Sequence, residues 1–346
     1  MDLVAALSQQ AEACGKLGSP MYAGLLTRLA ADLEAGGPTR DVLVGHEDDP
    51  GPSALALRLL GSVQRLVLER RAGVLAAYYP SVGGTWDDEA GSAAFLRVLE
   101  EQPNEVREWL DRPPQTNEVG RSAALMGALL QLPVVARRPV RLFELGSSGG
   151  LNLLPDRYRF VDDAGTPFNA LSDCVLDPAW GAHSLEPWPD LEVVERSGCD
   201  RMPIDVTTTE GRLALTAYVW PDQTARFERL RGAVAVAQRH PPVVRASGAG
   251  DFVEGLELAE GAWTVLWHSI MWQYLPTDEQ DRVTARLEAL GDAADAGSPF
   301  AHLFLEPTRR GPDQPHEFLV VLTTWPGGVR RVLGKAPAHG LPVTWD

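Results

Sequence analysis

The chain reads as an α/β protein in two parts. An N-terminal all-helical domain covers residues 1–134, and residues 135–346 form a second domain on a mostly parallel sheet with a C-terminal antiparallel hairpin. Three observations predict this. Apolar residues recur at helical spacing through the first part, with no strand-like alternation. After Pro133, short β-rich runs alternate with helical segments, as βαβ units require. The last two runs are separated only by Trp325-Pro326-Gly327-Gly328, too short a link for a crossover helix, so they pair antiparallel.

The elements follow in order. Leu3, Val4, Leu7 and Ala11 mark a first helix. Leu25, Leu26, Leu29 and Leu33 mark a second, stopped at Gly36-Gly37, with Pro38 placed to start another. Leu57, Leu60, Val63, Val67 and Leu68 give a longer apolar face from Ser53. Tyr78-Tyr79-Pro80 and Gly83-Gly84 break the pattern. Helices resume at Ala93–Leu99, Val106–Leu110 and Asn117–Leu130. Strands are expected at Pro139–Glu144, Leu191–Glu195, Pro242–Ala246, Trp263–His268, Phe300–Glu306, Phe318–Thr323 and Val329–Leu333. Helices at Gln223–Gln238 and Asp278–Leu290 separate some of them. Residues 156–190, proline-rich with a possible hairpin at Asp162–Gly165, read as an insertion.

Composition narrows the function. The 346 residues are 45% hydrophobic and 23% charged, which fits a folded protein and excludes disordered and fibrous classes. Lys and Arg number 31 against 47 Asp and Glu, a net charge of −16. Such a chain repels phosphate backbones and anionic lipid, so neither nucleic acid nor membrane is an expected partner. Cys14, Cys174 and Cys199 are too scattered for a disulfide framework. The dispersed histidines show no metal-ligand spacing, so no metal is expected. The start, Met1-Asp2-Leu3-Val4, lacks a signal peptide's basic and apolar regions, and no apolar run is long enough to span a membrane. These features lead to the expectation of a cytoplasmic protein acting on a small-molecule substrate.

The most informative segment is Glu144-Leu145-Gly146-Ser147-Ser148-Gly149-Gly150. It leaves a strand and is expected to open a helix at Leu151, where glycines admit a ligand to the backbone. A dinucleotide loop, G-x-G-x-x-G, needs glycine at 148 and 151, where Ser and Leu stand. A nucleophile elbow, G-x-S-x-G, is matched literally by Gly146, Ser148 and Gly150 and would make the protein a serine hydrolase using Ser148. Only helices precede the motif, whereas such an elbow follows several strands.

The segment also resembles the first motif of class I S-adenosylmethionine-dependent methyltransferases, an acid followed by glycines at alternate positions. Glu144, Gly146 and Gly150 match, and Ser148 stands for the middle glycine. The resemblance implies a Rossmann-like methyltransferase-type sheet with S-adenosylmethionine as cofactor and a helical domain over the substrate. It implies Glu144 on the ligand's ammonium and Asn152 in the first turn after the loop. Glu195, ending the second strand, would hold the ribose hydroxyls. Asp251 and Phe252 would meet adenine, on its amine and ring. The family's non-catalytic variant, a ligand-binding protein of the same fold, stays open because of Ser148.

Over nearly the whole chain there is a second resemblance. It is carried by Ala76-Ala77-Tyr78-Tyr79-Pro80-Ser81-Val82-Gly83-Gly84, Gln115-Thr116-Asn117-Glu118, the Glu144–Leu153 segment, Gly198-Cys199-Asp200, Tyr218-Val219-Trp220-Pro221-Asp222-Gln223 and His268-Ser269-Ile270-Met271-Trp272-Gln273-Tyr274. These are similar to a bacterial family labelled only as a domain of unknown function, which implies no activity.

Other residues carry two readings each. His268, at a strand end, is either a base for the methyl acceptor or a structural imidazole. Ser269, Gln273 and Tyr274 follow it as substrate contacts, while Trp272 reads as core. Asn117 is either an N-cap or a crevice contact, and Glu118 shares the choice. Tyr78 and Tyr79 line a cleft or pack domains together. Asp200 and Asp205 read as Asx turns around Pro203. Glu306, ending a strand, is a second carboxylate for the crevice or a partner of Arg309 or Arg310.

Overall fold

A computed structural model describes residues 2–49, 54–112, 114–133, 137–169, 171–181, 185 and 187–346. The boundary expected between 134 and 135 and parts of the 156–190 segment lie outside the described residues. The chain divides into two compact units: residues 1–116 with 209–228, and residues 117–208 with 229–346.

The first unit is helical. It holds α1 (Leu3–Lys16), α2 (Pro20–Ala35), α3 (Pro38–Leu43), α4 (Leu55–Leu68), α5 (Asp88–Glu101) and α6 (Pro103–Leu110). Their ends follow local chemistry. Asp2 accepts from the amides of Val4 and Ala5, Ser19 caps α2 ahead of Pro20, and Gly36 closes it in the left-handed conformation. Leu25, Leu26, Leu29, Leu59, Val63 and Phe95 are buried in one core. Residues 209–228 join this unit although they follow strands of the other. They bring α8 (Thr209–Ala217) and the start of α9 (Thr224–Arg239). Gly61 of α4 makes room for Tyr218, since a Cβ there would lie 2.6 Å from its ring. Trp220 packs on Tyr22 with ring centroids 6.2 Å apart. Asp222 accepts from the Ser19 hydroxyl at 2.7 Å and the Met21 amide at 3.2 Å. Asp222→Ala removes the acceptor of both donors. It is expected to cost about 1–2 kcal/mol, read as a lower urea midpoint. An unchanged midpoint would refute this anchoring of the inserted segment.

The second unit is built on one sheet of eleven strands, ordered β3-β2-β4-β11-β10-β9-β8-β7-β1-β5-β6. The strands are β1 (Val140–Leu145), β2 (Arg159–Asp162), β3 (Pro167–Phe168), β4 (Val175–Gly181), β5 (Val193–Asp200), β6 (Val244–Ala246), β7 (Trp263–Ser269), β8 (Phe300–Thr308), β9 (Glu317–Trp325), β10 (Val329–Lys335) and β11 (Val343–Trp345). β6, β5, β1, β7 and β8 run parallel. β9 pairs antiparallel with both β8 and β10, because the links on either side are too short for a crossover. On one face Phe143, Leu145, Leu266, Phe252 and Val283 form a core with α10 (Ala249–Glu254) and α11 (Thr277–Ala293). The wholly buried α7 (Ser122–Leu129) belongs to this unit, and Gly127 admits the Trp345 ring beside it.

Three expectations change. No α-helix follows the glycine loop: Leu151–Leu153 is a single 3-10 turn, and Pro155 then removes an amide and restricts Leu154. The segment read as an insertion adds β2, β3 and β4 to the sheet. The second strand runs to Asp200 and does not stop at Glu195. No described helix is long and apolar enough to cross a membrane.

Candidate functional site

In an open parallel sheet, ligands bind beyond the carboxyl ends of the strands, where the strand order reverses. Here that point is the end of β1, between β5 and β7. The loop from Gly146 to Gly150 leaves β1 with Gly146, Ser148 and Gly150 all at positive φ, at 66°, 52° and 71°. For Ser148 this conformation carries a cost that glycine avoids. Its neighbours hold it: the Ser148 amide donates to Asp200 at 3.0 Å, and its carbonyl accepts from Ile204 at 3.1 Å. The Ser147 amide donates to the Cys199 carbonyl at 2.9 Å. A Cβ on Gly146 would lie 3.0 Å from Met271, and one on Gly150 would lie 2.8 Å from Pro242 and Val244. The protein's own packing therefore already requires both glycines.

Glu144 is the unusual group beneath this loop. It is 2% exposed, and its Oε2 has no hydrogen-bond partner. Burial pushes its carboxyl up to about 8, a rise that the dipoles of Ser147 and Trp267 and the charge of Arg121 offset only in part. Arg121 donates to the Ser269 carbonyl at 3.2 Å and the Ala338 carbonyl at 3.1 Å.

The segment around Arg121 is stapled to the loop. Asn117 does not cap its own helix. Its Oδ1 accepts from the Leu151 amide at 2.9 Å, so it caps the turn after the loop. Glu118 caps its own 3-10 turn through the Gly120 amide at 3.1 Å. Asn152 accepts from the Ser122 hydroxyl at 2.6 Å. All of Asn117, Glu118, Ser122 and Asn152 are buried.

Near the end of β7, His268 Nδ1 lies 2.8 Å from Glu306 Oε1, and its Nε2 lies 3.0 Å from Nε2 of His302, which is in register with Leu266 at the middle of β7. The rings of Trp272 and Phe304 stack on His268 at 5.3 and 5.4 Å. Glu306 Oε1 also accepts from the amides of Met271 at 3.0 Å and Trp272 at 3.3 Å. Those bonds hold the turn after β7, where the β-branched Ile270 sits at φ 49°. Glu306 has neither Arg309 nor Arg310 as its partner: Arg310 pairs with Glu317 and Asp346. Among the described residues no group of three or more His, Cys, Asp or Glu is arranged to hold a metal.

Several predicted residues lie elsewhere. Glu195 is at the starting end of β1, in register with Arg141, to which it is ion-paired at 2.6 Å. Asp200 ends β5 instead. The strand continues past Glu195 because Ser197, Gly198 and Cys199 are small and buried under the loop: a Cβ on Gly198 would meet Ser147 Oγ at 1.9 Å. Asp251 is exposed on α10 and pairs with Arg282 at 2.7 Å. Phe252 is buried against Phe143, with ring centroids 6.4 Å apart, so its ring packs in the core. Gln273 and Tyr274 are exposed on a 3-10 turn. Tyr79 is buried in the first unit beside Trp86, and Tyr78 packs against the same core. Arg121, Asp200 and His302 are the members that sequence reasoning missed. Asp200 was visible only in its local role, the Asx turn to the Met202 amide at 2.8 Å.

Fold and site thus define a mixed α/β protein with buried acids at its strand ends. The chain belongs to a family described as "Uncharacterized protein conserved in bacteria (DUF2332)", which it matches over residues 4–345. Neither the curated proteins nor the solved structures contain a match to it.

Proposed function

We propose that the second unit binds S-adenosylmethionine at the carboxyl ends of β1 and β5, and that the protein is a methyltransferase for a small molecule. The observation that carries this reading is Glu144. A buried carboxyl group with an unpartnered oxygen, at the strand-order reversal, suits the ammonium of the ligand's amino-acid end. Asp200, at the end of the next strand, takes the part first given to Glu195. The other end of the ligand finds less support, since Asp251 is ion-paired and Phe252 is core. When bound, the cofactor would supply a sulfonium methyl group. The chain's part is to hold and align, which is most of what direct transfer needs.

Calorimetry with S-adenosylmethionine and S-adenosylhomocysteine tests the reading. Binding to the parent and its loss in folded Glu144→Gln is the expected result. Failure of the folded parent to bind either ligand sinks it. Binding without turnover on any metabolite pool would instead mark a non-catalytic ligand-binding protein.

The positive φ of Ser148 favours one other reading, the strained elbow of a serine hydrolase. Against it, both ring nitrogens of His268 are engaged by Glu306 and His302, so that imidazole has no nitrogen left for a serine. Fluorophosphonate labelling abolished by Ser148→Ala would overturn the methyltransferase reading in its favour.

A further inference from the structure

We propose that Glu306, His268 and His302 form a proton relay whose outer end is His302, serving a ligand with an ionisable O–H or N–H. This goes beyond the methyltransferase reading and does not rest on it, because the relay belongs to β7 and β8 whatever the glycine loop binds.

The direction of each hydrogen bond follows from its donors. Glu306 Oε1 accepts two backbone amides, which can only donate, so it is an acceptor for His268 as well. The proton between them therefore sits on His268 Nδ1. In the neutral ring His268 Nε2 then carries a lone pair and must accept from His302 Nε2–H at 3.0 Å. That leaves the lone pair of His302 on Nδ1. Alternation along β8 and its pairing with β7 put all three side chains on one face of the sheet.

Accessibility sets which end meets a ligand. His268 is 2% exposed, Trp272 and Phe304 stack on its ring, and both its nitrogens are engaged. His302 is half-buried. Burial holds the His302 imidazole well below its ordinary range, which keeps it neutral at rest. His268, first read as the base, is in this arrangement the middle of the chain.

The transfer balances without another reagent. A ligand O–H or N–H gives its proton to His302 Nδ1, and the electron pair stays on the ligand atom. The Nε2 proton of His302 moves to His268 Nε2. His302 ends neutral as the Nδ1–H tautomer, and His268 ends as an imidazolium against the Glu306 carboxylate. The positive charge thus comes to rest next to its buried counter-charge.

Two measurements on the full chain test this. Long-range ¹⁵N–¹H correlation spectra of the labelled protein should show His268 as the Nδ1–H tautomer and His302 as the Nε2–H tautomer. In Glu306→Gln, which keeps an acceptor oxygen but loses the charge, the His268 Nδ1 proton should move upfield. Diethyl pyrocarbonate followed by peptide mass spectrometry should modify His302 in the folded protein and His268 only after unfolding. An Nε2–H tautomer at His268, an unmoved proton in a folded Glu306→Gln variant, or His268 reacting before His302 would each overturn the relay.

Discussion

Glu144→Gln is expected to remove a large part of the protein's pH dependence and to stabilise it near pH 8. The Glu144 carboxyl is raised from 4.5 to about 8, first of all by burial. The folded protein therefore keeps this proton up to about pH 8, while the unfolded chain releases it near 4.5. Stability from this group is fully present below the unfolded value and is lost as pH rises through the folded one. The loss runs at about 1.4 kcal/mol per pH unit, or roughly 5 kcal/mol across the window. Urea unfolding of parent and variant between pH 4.5 and 8.5 measures it. The two curves should meet near the acid end and diverge as pH rises; parallel curves would show that Glu144 is not held protonated. The same linkage governs ligand binding. A cation beside Glu144 favours the carboxylate, so its binding below pH 8 should release a proton, and its affinity should rise with pH toward that value. Calorimetry in buffers of different ionisation enthalpy reads the proton directly.

Glu306→Ala should be the more damaging substitution. It takes away, in one step, the acceptor of His268 Nδ1 and of the Met271 and Trp272 amides. Glu306 is 5% exposed, so water has little access to replace it. Removing one partner of such a buried polar pair costs about 3–5 kcal/mol. The turn after β7 should loosen as well, since Ile270 keeps its left-handed conformation only while the next two amides are held. Denaturant midpoints of Glu306→Ala and Glu306→Gln separate the effects. Gln retains an acceptor oxygen and should lose less. Equal losses would mean that only the charge matters, and no loss in either would remove Glu306 from the support of the site.

Much of the architecture was legible because it is local. The helices of the first unit were readable from the spacing of Leu25, Leu26, Leu29 and Leu33, and the stop at Gly36 from its left-handed preference. The antiparallel β9–β10 pair was readable from a turn too short for anything else. Elements without a strong local signal were missed: β11 has three residues, and the helix expected at Leu151 is a 3-10 turn ended by Pro155. The methyltransferase resemblance asks for an acid at the end of the second strand, and the run Leu191–Glu195 points to Glu195. The strand in fact continues through small residues that are buried only because the loop lies on them, a contact between segments about 50 residues apart.

The site divides in the same way. That Glu144 and the glycine loop end a strand could be read from neighbouring residues, because strand and turn preferences act over a few positions. That Asn117 caps Leu151, that Asp200 holds Ser148, and that His302 meets His268 could not. Each of these pairs is more than thirty residues apart in sequence, and each depends on how distant elements are brought together, which no local preference encodes. The sequence by itself therefore determined an acid-rich α/β chain with a glycine loop leaving its first parallel strand. Tertiary structure alone decided which acids are buried and what they face. The energy of a buried carboxyl or imidazole depends on the partners that folding brings to it, not on its neighbours along the chain.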